Sequence, residues 1–354
     1  MERKKKSRKF IIVLLCIAAL AAMVFIAAIV KNLFRSDFER LNETDRAILS
    51  EYNTFCASLE ESDIWEGYNL NEKTILAMPG EFSGGYLINP EKPVSGIFAK
   101  EITVPDDWTI TVYRLSAATP DLMQFRLSGD FNTVGETYSV LGSDVYFIKY
   151  DQAASVDAKW SSEHFTTFLS HEAFHYYMQD NWPEGSRFST DSLTEDDIAL
   201  LEEEYGILGD IQTQLLSDAP DKTALEESAK EYVDVMNRRM AANEDYVQKE
   251  MSAETMEGTA TYAGIQASRR VGYDFGVMYF SNRKDVPFSE IITQYRAGNI
   301  DKSYLADRIP YETGGLLCLL MDELGVPKWQ DALNSQTLDA PISLYSILKA
   351  WVER

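Results

Sequence analysis

The hydrophobic pattern opens with twenty-one residues without a charge, Phe10 to Val30. That length matches the ~20 residues a helix needs to cross a bilayer. A cleaved signal peptide competes with this reading, but its apolar region spans only ~7–15 residues, and the small residues around Ala19 to Ala22 lie inside the run. The pattern therefore predicts an uncleaved transmembrane signal-anchor helix over 10–30 behind a basic tail, residues 1–9. Beyond it Phe38, Leu41, Ile48, Tyr52 and Phe55 recur at helical spacing among many charges, which predicts a helical juxtamembrane segment over 31–80 with little chemistry.

From about 82 to 150 the texture changes to short runs: "GYLIN", "GIFAKEITV", "WTITVYRL", "MQFRLS", "TYSVLG" and "DVYFIKY". Gly, Pro, Asn and Asp separate them, and four to six strands are expected. After Tyr150 helical periodicity takes over to the C-terminus. Strands first and helices afterwards is an α+β arrangement, with a single domain expected over 81–354: a β-rich part, 81–150, and a helical part, 151–354.

A helix is expected over roughly 158–180, stopped by Pro and Gly in "DNWPEG". Between about 184 and 250 an acidic insertion reads as two helices. The first is expected to open on a capping box from Ser192 to Glu195, and the second to start near Asp221. This insertion has three readings: a lid over a cleft, a partner surface, or a peripheral hairpin.

Composition narrows the setting. Six Lys and Arg precede Phe10 and two, Lys31 and Arg35, follow the run, so the positive-inside rule keeps the N-terminus cytoplasmic and puts the rest outside the membrane. Leu15 before Cys16 is not the small residue a lipoprotein cleavage site needs. The whole chain carries −23, and residues beyond 30 carry −28 once the basic tail is set aside. Such a field repels nucleic acid and anionic lipid headgroups; solubility is its plain function and a preference for cationic ligands its sharper one. Outside the membrane only Cys56 and Cys318 remain, and a single pair makes no disulfide scaffold. One Asn-x-Thr site, Asn42 to Thr44, matters only in a eukaryotic secretory pathway.

The chemistry concentrates in "SHEAFHYYMQ", Ser170 to Gln179, which holds two of the three histidines in the chain. On a helix His171 and His175, four apart, share a face and can reach one ion, while Glu172 is turned about 100° away, beside the ion rather than on it. Zinc held by two imidazoles and a carboxylate keeps a position for water and lowers its pKa to about 7, and an adjacent carboxylate then serves as general base. Packing or surface histidines at chance spacing are the plain alternative. No histidine follows His175, and His164 lies almost two turns earlier, so the third ligand is sought among Asp and Glu, with Glu254 and Glu257 of "SAETMEGTATYAG" as candidates. His164 is expected to pack or to line the rim.

"MEGTATY" resembles the segment of the gluzincin metallopeptidases, the aminopeptidase N family in particular, in which a glutamate before Gly-x-Ala is the third zinc ligand. The resemblance implies Glu257 as that ligand, with Glu254 one turn earlier as the fallback ligand or a carboxylate supporting the site; a solvent-facing charge is the alternative for Glu254. "IPYETGGLLCLLMDELG", Ile309 to Gly325, is similar to the Pro-Tyr-Glu-Lys-Gly helix of the same family, which implies Tyr311 as hydrogen-bond donor to the oxyanion. The resemblance covers about 158–325 and implies a zincin-like fold. It departs from the family in three respects. The stretch between His175 and Glu257 is much longer, no Gly-x-Met-Glu-Asn segment for a free amine precedes the helix, and Thr261 stands where thermolysin-like relatives carry an aspartate.

The expected function is a membrane-anchored zinc peptidase facing outward, taking peptide or protein substrates, with one Zn2+ on His171, His175 and Glu257, Glu172 as base and Tyr311 at the oxyanion. Two other classes fit the same residues: a zincin-fold binding or sensor module without turnover, and a zinc hydrolase of a non-peptide substrate. Endopeptidase and aminopeptidase action are both open.

Overall fold

A computed structural model describes every residue except 1, 35–36, 81–82, 184 and 186–187, and the side chains of 2–9. Arg35 and the expected boundaries at 81 and 184 thus lie outside the described residues. The architecture is mixed α and β, in two compact units.

The first unit comprises residues 1–57, 70–132 and 136–156. It opens with α1 (Glu2–Leu33), whose stretch Phe10–Leu33 has a mean hydropathy of 3.2 and an apolar surface open to its surroundings. This one helix is long and apolar enough to span a membrane. A short 3-10 turn leads to α2 (Glu43–Glu61). The sheet follows as β1 (Ile75–Pro79), β2 (Gly85–Ile88), β3 (Ala99–Glu101), β4 (Val112–Leu115), β5 (Tyr138–Val140) and β6 (Ser143–Tyr150), with α3 (Leu122–Leu127) between β4 and β5.

The strand order is β3-β4-β2-β1-β6-β5, antiparallel except where β1 runs parallel to β6. Side chains alternate between faces. Leu76, Met78, Leu87, Tyr113, Leu115, Val145 and Phe147 pack with Leu122 and Phe125 of α3. Tyr86 and Tyr150, on the opposite face, both donate to the buried Asp45 of α2, Tyr150 at 2.7 Å.

Two sequence expectations change here. Residues 31–80 are no juxtamembrane stalk: α2 buries Leu49, Tyr52 and Phe55, and β1 lies inside the sheet, paired on both edges. A five-residue apolar run such as "ILAMP" carries no period that separates strand from helix, and its partners lie far along the chain. "MQFRLS" forms α3 rather than a strand. Leu122 and Phe125, three apart, share its buried side, so the run has a helical period too short to see in a six-residue window.

The second unit comprises residues 58–69, 133–135 and 157–354 and is helical. Its elements are α4 (Phe165–Met178), α5 (Glu195–Leu215), α6 (Lys222–Ala242), α7 (Glu244–Val271), α8 (Glu290–Arg296), α9 (Tyr304–Asp307), α10 (Ile309–Leu324), α11 (Trp329–Asn334) and α12 (Leu344–Val352). The helix α4 is shorter than the expected 158–180. His164 occupies its N-cap and Gln179 its C-cap, so it stops before Pro183. The capping box of α5 also shifts: Thr194 and Asp197 cap each other, at 2.8 Å and 3.2 Å, rather than Ser192 and Glu195. Asp221 caps α6 as expected.

The α5–α6 pair is built into the helical core. Leu201, Leu208, Ile211, Leu225, Ala229, Tyr232 and Met236 are all fully buried. Arg239 of α6, itself buried, is clamped between Glu204 of α5 and Glu250 of α7, the latter at 2.6 Å. Part of the acidity expected to be solvated is therefore structural. Cys56 and Cys318 are both buried free thiols.

The centre of this unit is the packing of α7 against α4 and α10. A Cβ built on Gly258 would stand 2.3 Å from the Cα of Gly314, and one on Gly314 would stand 2.2 Å from the carbonyl oxygen of Glu254. Only glycine permits that approach. On the other side of α7, a Cβ on Gly264 would meet the carbonyl oxygen of Thr167 at 3.1 Å. Three helices thus converge at small residues, one of which follows Glu257 directly.

Candidate metal centre

Three side chains from two helices meet on the inner side of α4. His171 and His175, one turn apart, bring their Nε2 atoms to 3.2 Å. The Oε2 atom of Glu257 on α7 lies 3.6 Å from His171 Nε2 and 3.2 Å from His175 Nε2. The three side chains are 16–20% exposed, so the cluster is sheltered yet reachable. Among the described residues this is the group of His, Cys, Asp and Glu able to hold a metal ion.

The donor set fits a tetrahedral ion. Ligand bonds of about 2.0–2.2 Å at tetrahedral angles place neighbouring ligand atoms roughly 3.3–3.5 Å apart, close to the three edges of this triangle. Two nitrogens and a carboxylate oxygen form a borderline, zinc-compatible set.

A residue outside the sequence expectation orients the site. Gln179 donates from Nε2 to the carbonyl oxygen of Met256 and to Thr259 Oγ1, each at 2.8 Å. Its Oε1 must then face His175 Nδ1, 2.5 Å away, which puts the ring proton on Nδ1 and leaves Nε2 to face Glu257. Gln179 is four residues beyond His175, as His175 is beyond His171, so continuing the same spacing by one step along "HEAFHYYMQ" would have found it.

Electrostatics agree with the geometry. Burial pushes the Glu257 carboxyl up, but its contacts with the His171 and His175 rings outweigh it and hold the group well below the usual carboxylate range. Burial opposes charge on His175, yet its contact with Glu257 prevails and raises it. Glu172 is raised chiefly by burial, against the pull of the two imidazoles. A carboxylate with raised proton affinity is suited to accept a proton from water.

His171, Glu172, Thr261 and Tyr311 line one cavity of about 290 Å³, together with Thr167, Phe168, Phe275 and Arg308. Tyr311, in the first turn of α10, lies parallel to the His171 ring at 5.9 Å between centres. Burial, then the charges of Glu257 and Glu172, keep its phenol protonated as a hydrogen-bond donor. No residue of α5 or α6 lines this cavity, so the lid reading of the insertion finds no support there.

Glu254 is not brought to the cluster. Its Oε1 accepts from Thr313 Oγ1 at 2.5 Å, and burial, then the charges of Glu250 and Glu204, push its carboxyl well above the ordinary range. It ties α7 to α10 rather than serving as a ligand or a solvated charge. His164 is buried and stacks on Tyr273 at 3.6 Å, which is the packing role expected of it.

Comparison of the chain with protein-family models, with characterised proteins and with solved structures finds no match.

Proposed function

We propose that the chain is a membrane-anchored zinc-dependent peptidase of the gluzincin type, with a zincin-like helical unit, acting outside the membrane that α1 crosses. The observation carrying this reading is the convergence of His171 Nε2, His175 Nε2 and Glu257 Oε2, with His171 lining a cavity that Glu172 and Tyr311 also line. His171, His175 and Glu257 would hold the ion. Bound there, zinc supplies Lewis acidity: it lowers the pKa of water and polarises a peptide carbonyl.

The protein groups do the rest. Glu172, whose proton affinity burial has raised, takes the proton of the attacking water and can pass it to the departing amine. Tyr311 keeps its proton and offers it as a hydrogen bond to the oxygen on which negative charge develops. Gln179 holds the His175 ring in one tautomer, so no reorganisation is needed as charge builds.

Orientation follows from the basic tail: with Lys and Arg concentrated before Phe10, the N-terminus stays in the cytoplasm and the chain beyond α1 stands outside.

The test is metal content and turnover of the full-length chain in detergent micelles. About one zinc per chain is expected, with cleavage of a denatured-protein digest read by mass spectrometry. Glu172→Gln should keep the zinc and lose the cleavage. Undiminished hydrolysis by that variant would remove Glu172 as base, and zinc without any cleavage would favour a binding or sensor module.

A further inference from the structure

We propose that Arg308 recognises the free α-carboxylate of a peptide, so that the cavity accepts the C-terminal end of a chain and the site works as a carboxypeptidase. The carboxylate recognition stands on the cavity itself; the hydrolysis rests on the peptidase reading above.

Arg308 is the one Lys or Arg among the residues lining the cavity. It is built in rather than left at the surface. Its Nη2 is bound to Glu312 Oε1 at 2.6 Å, and the second oxygen of that buried carboxylate accepts the backbone N–H of Met278. The guanidinium lies between two rings, 5.7 Å from the centre of Phe280 and 5.6 Å from that of Tyr311. No other acceptor among the described residues takes its remaining N–H groups. A guanidinium gripped on one edge and stacked on its face has lost its rotamer freedom before a ligand arrives, and its planar fork matches a carboxylate.

The opposing charges do not cancel it. Glu163 and Asp307 also line the cavity, but both are exposed and screened by water, whereas the Arg308 side chain is only 28% exposed.

Size and spacing point to a chain end. At about 290 Å³ the cavity is at the small limit of ligand pockets, typically roughly 300–1,000 Å³, which suits one or two residues. Arg308 and His171 both pack on one ring, that of Tyr311, at 5.6 Å and 5.9 Å from its centre, so the gap between them is short. One or two extended residues, at about 3.3–3.6 Å each, span such a gap. With the carboxylate on Arg308, the bond presented at His171 is the last or next-to-last of the peptide. Its C–N bond breaks, water supplies hydroxyl to the acyl carbon and a proton to the amine, and a terminal amino acid or dipeptide leaves.

The test separates recognition from hydrolysis. The full-length chain in detergent micelles, stripped of metal so that a carboxylate cannot bind zinc, is titrated calorimetrically with an N-acetyl dipeptide as free acid, as amide, and as an amide ending in Glu. The free acid should bind ~10–100-fold more tightly than either amide, the range expected for charge-assisted hydrogen bonds. Arg308→Gln should abolish the difference. Arg308→Lys, which keeps a cation beside Glu312 and so guards against misfolding, should retain part of it.

Equal affinity for acid and amide overturns the proposal, as does a difference that survives both variants. Tight binding of the Glu-ended amide would show that Arg308 reads a side-chain carboxylate instead. With zinc restored, internal cuts at the same rate in free-acid and amidated peptides would refute carboxypeptidase action. Absence of any cleavage would count against the peptidase reading alone and leave the binding result to decide the role of Arg308.

Discussion

Replacing Gly314 by alanine tests whether the crossing of α7 and α10 sets the site. A glycine-to-alanine change inside a helix ordinarily stabilises by about 1 kcal/mol through propensity. At Gly314 the new Cβ would stand 2.2 Å from the carbonyl oxygen of Glu254 and 2.7 Å from the Cα of Gly258, while ordinary contact begins near 3.4 Å. The partners are backbone, so no rotamer change relieves the overlap and the helices must separate by more than 1 Å. Overpacking costs about 1–3 kcal/mol, and a backbone clash belongs at the upper end or beyond. A net loss of about 2 kcal/mol therefore remains after the propensity gain.

With roughly 2–4 °C per kcal/mol, the melting temperature should fall by about 4–8 °C. Gly206 on α5 is the matched control, because a Cβ there meets nothing within 4 Å. Its alanine variant should rise by about 2–4 °C. Both are read by circular dichroism of the full-length chain in detergent, together with zinc affinity, since moving α10 carries Tyr311 away from Glu257. A Gly314→Ala melting temperature equal to or above wild type would refute the argument from close approach.

Three further outcomes are expected. Gln179→Leu frees the His175 ring and should weaken zinc binding ~10–100-fold in chelator competition, with Gln179→Glu preserving it; unchanged affinity in the leucine variant would show that the ring needs no such support. Arg239→Met strands the buried Glu204 and Glu250, which costs about 3–5 kcal/mol and should lower the thermal midpoint by roughly 6–20 °C; a shift of a degree or less would mean the two acids are held neutral. Glu254, its carboxyl raised above the ordinary 4.5 chiefly by burial, is protonated in the folded chain and ionised in the unfolded one as pH climbs through that window. Folding then loses stability with rising pH, so Glu254→Gln should gain on wild type between pH 5 and 8, and a pH-independent gap in melting temperature would contradict this.

Much was legible in the chain itself. A single uncharged run identifies α1 as a helix long and apolar enough to span a membrane, because length and composition are read directly from the chain. The order of strands followed by helices came from local periodicity, as did α5 and α6, whereas the helix α10 was suggested by the family resemblance. His171, Glu172 and His175 could be read as a group because helical geometry converts a spacing of four into a shared face.

Other features depend on partners that only folding supplies. The strand β1 is apolar on both faces and silent about its pairing with β2 and β6. The choice of Glu257 over Glu254 turns on one helical turn. Resemblance suggested it, but the α4–α7 crossing puts one carboxylate on the histidines and the other on Thr313. Acidic residues such as Glu204 and Glu250 look solvated in sequence because a charge carries no mark of the Arg239 that will meet it. Arg308, one arginine among many charged residues, becomes a cavity cation only once Glu312, Phe280 and Tyr311 surround it. Local patterns encode which elements form, since each depends on neighbours a few residues away. Which side chains meet across those elements depends on how close backbones can come, and here Gly258 and Gly314 set that distance.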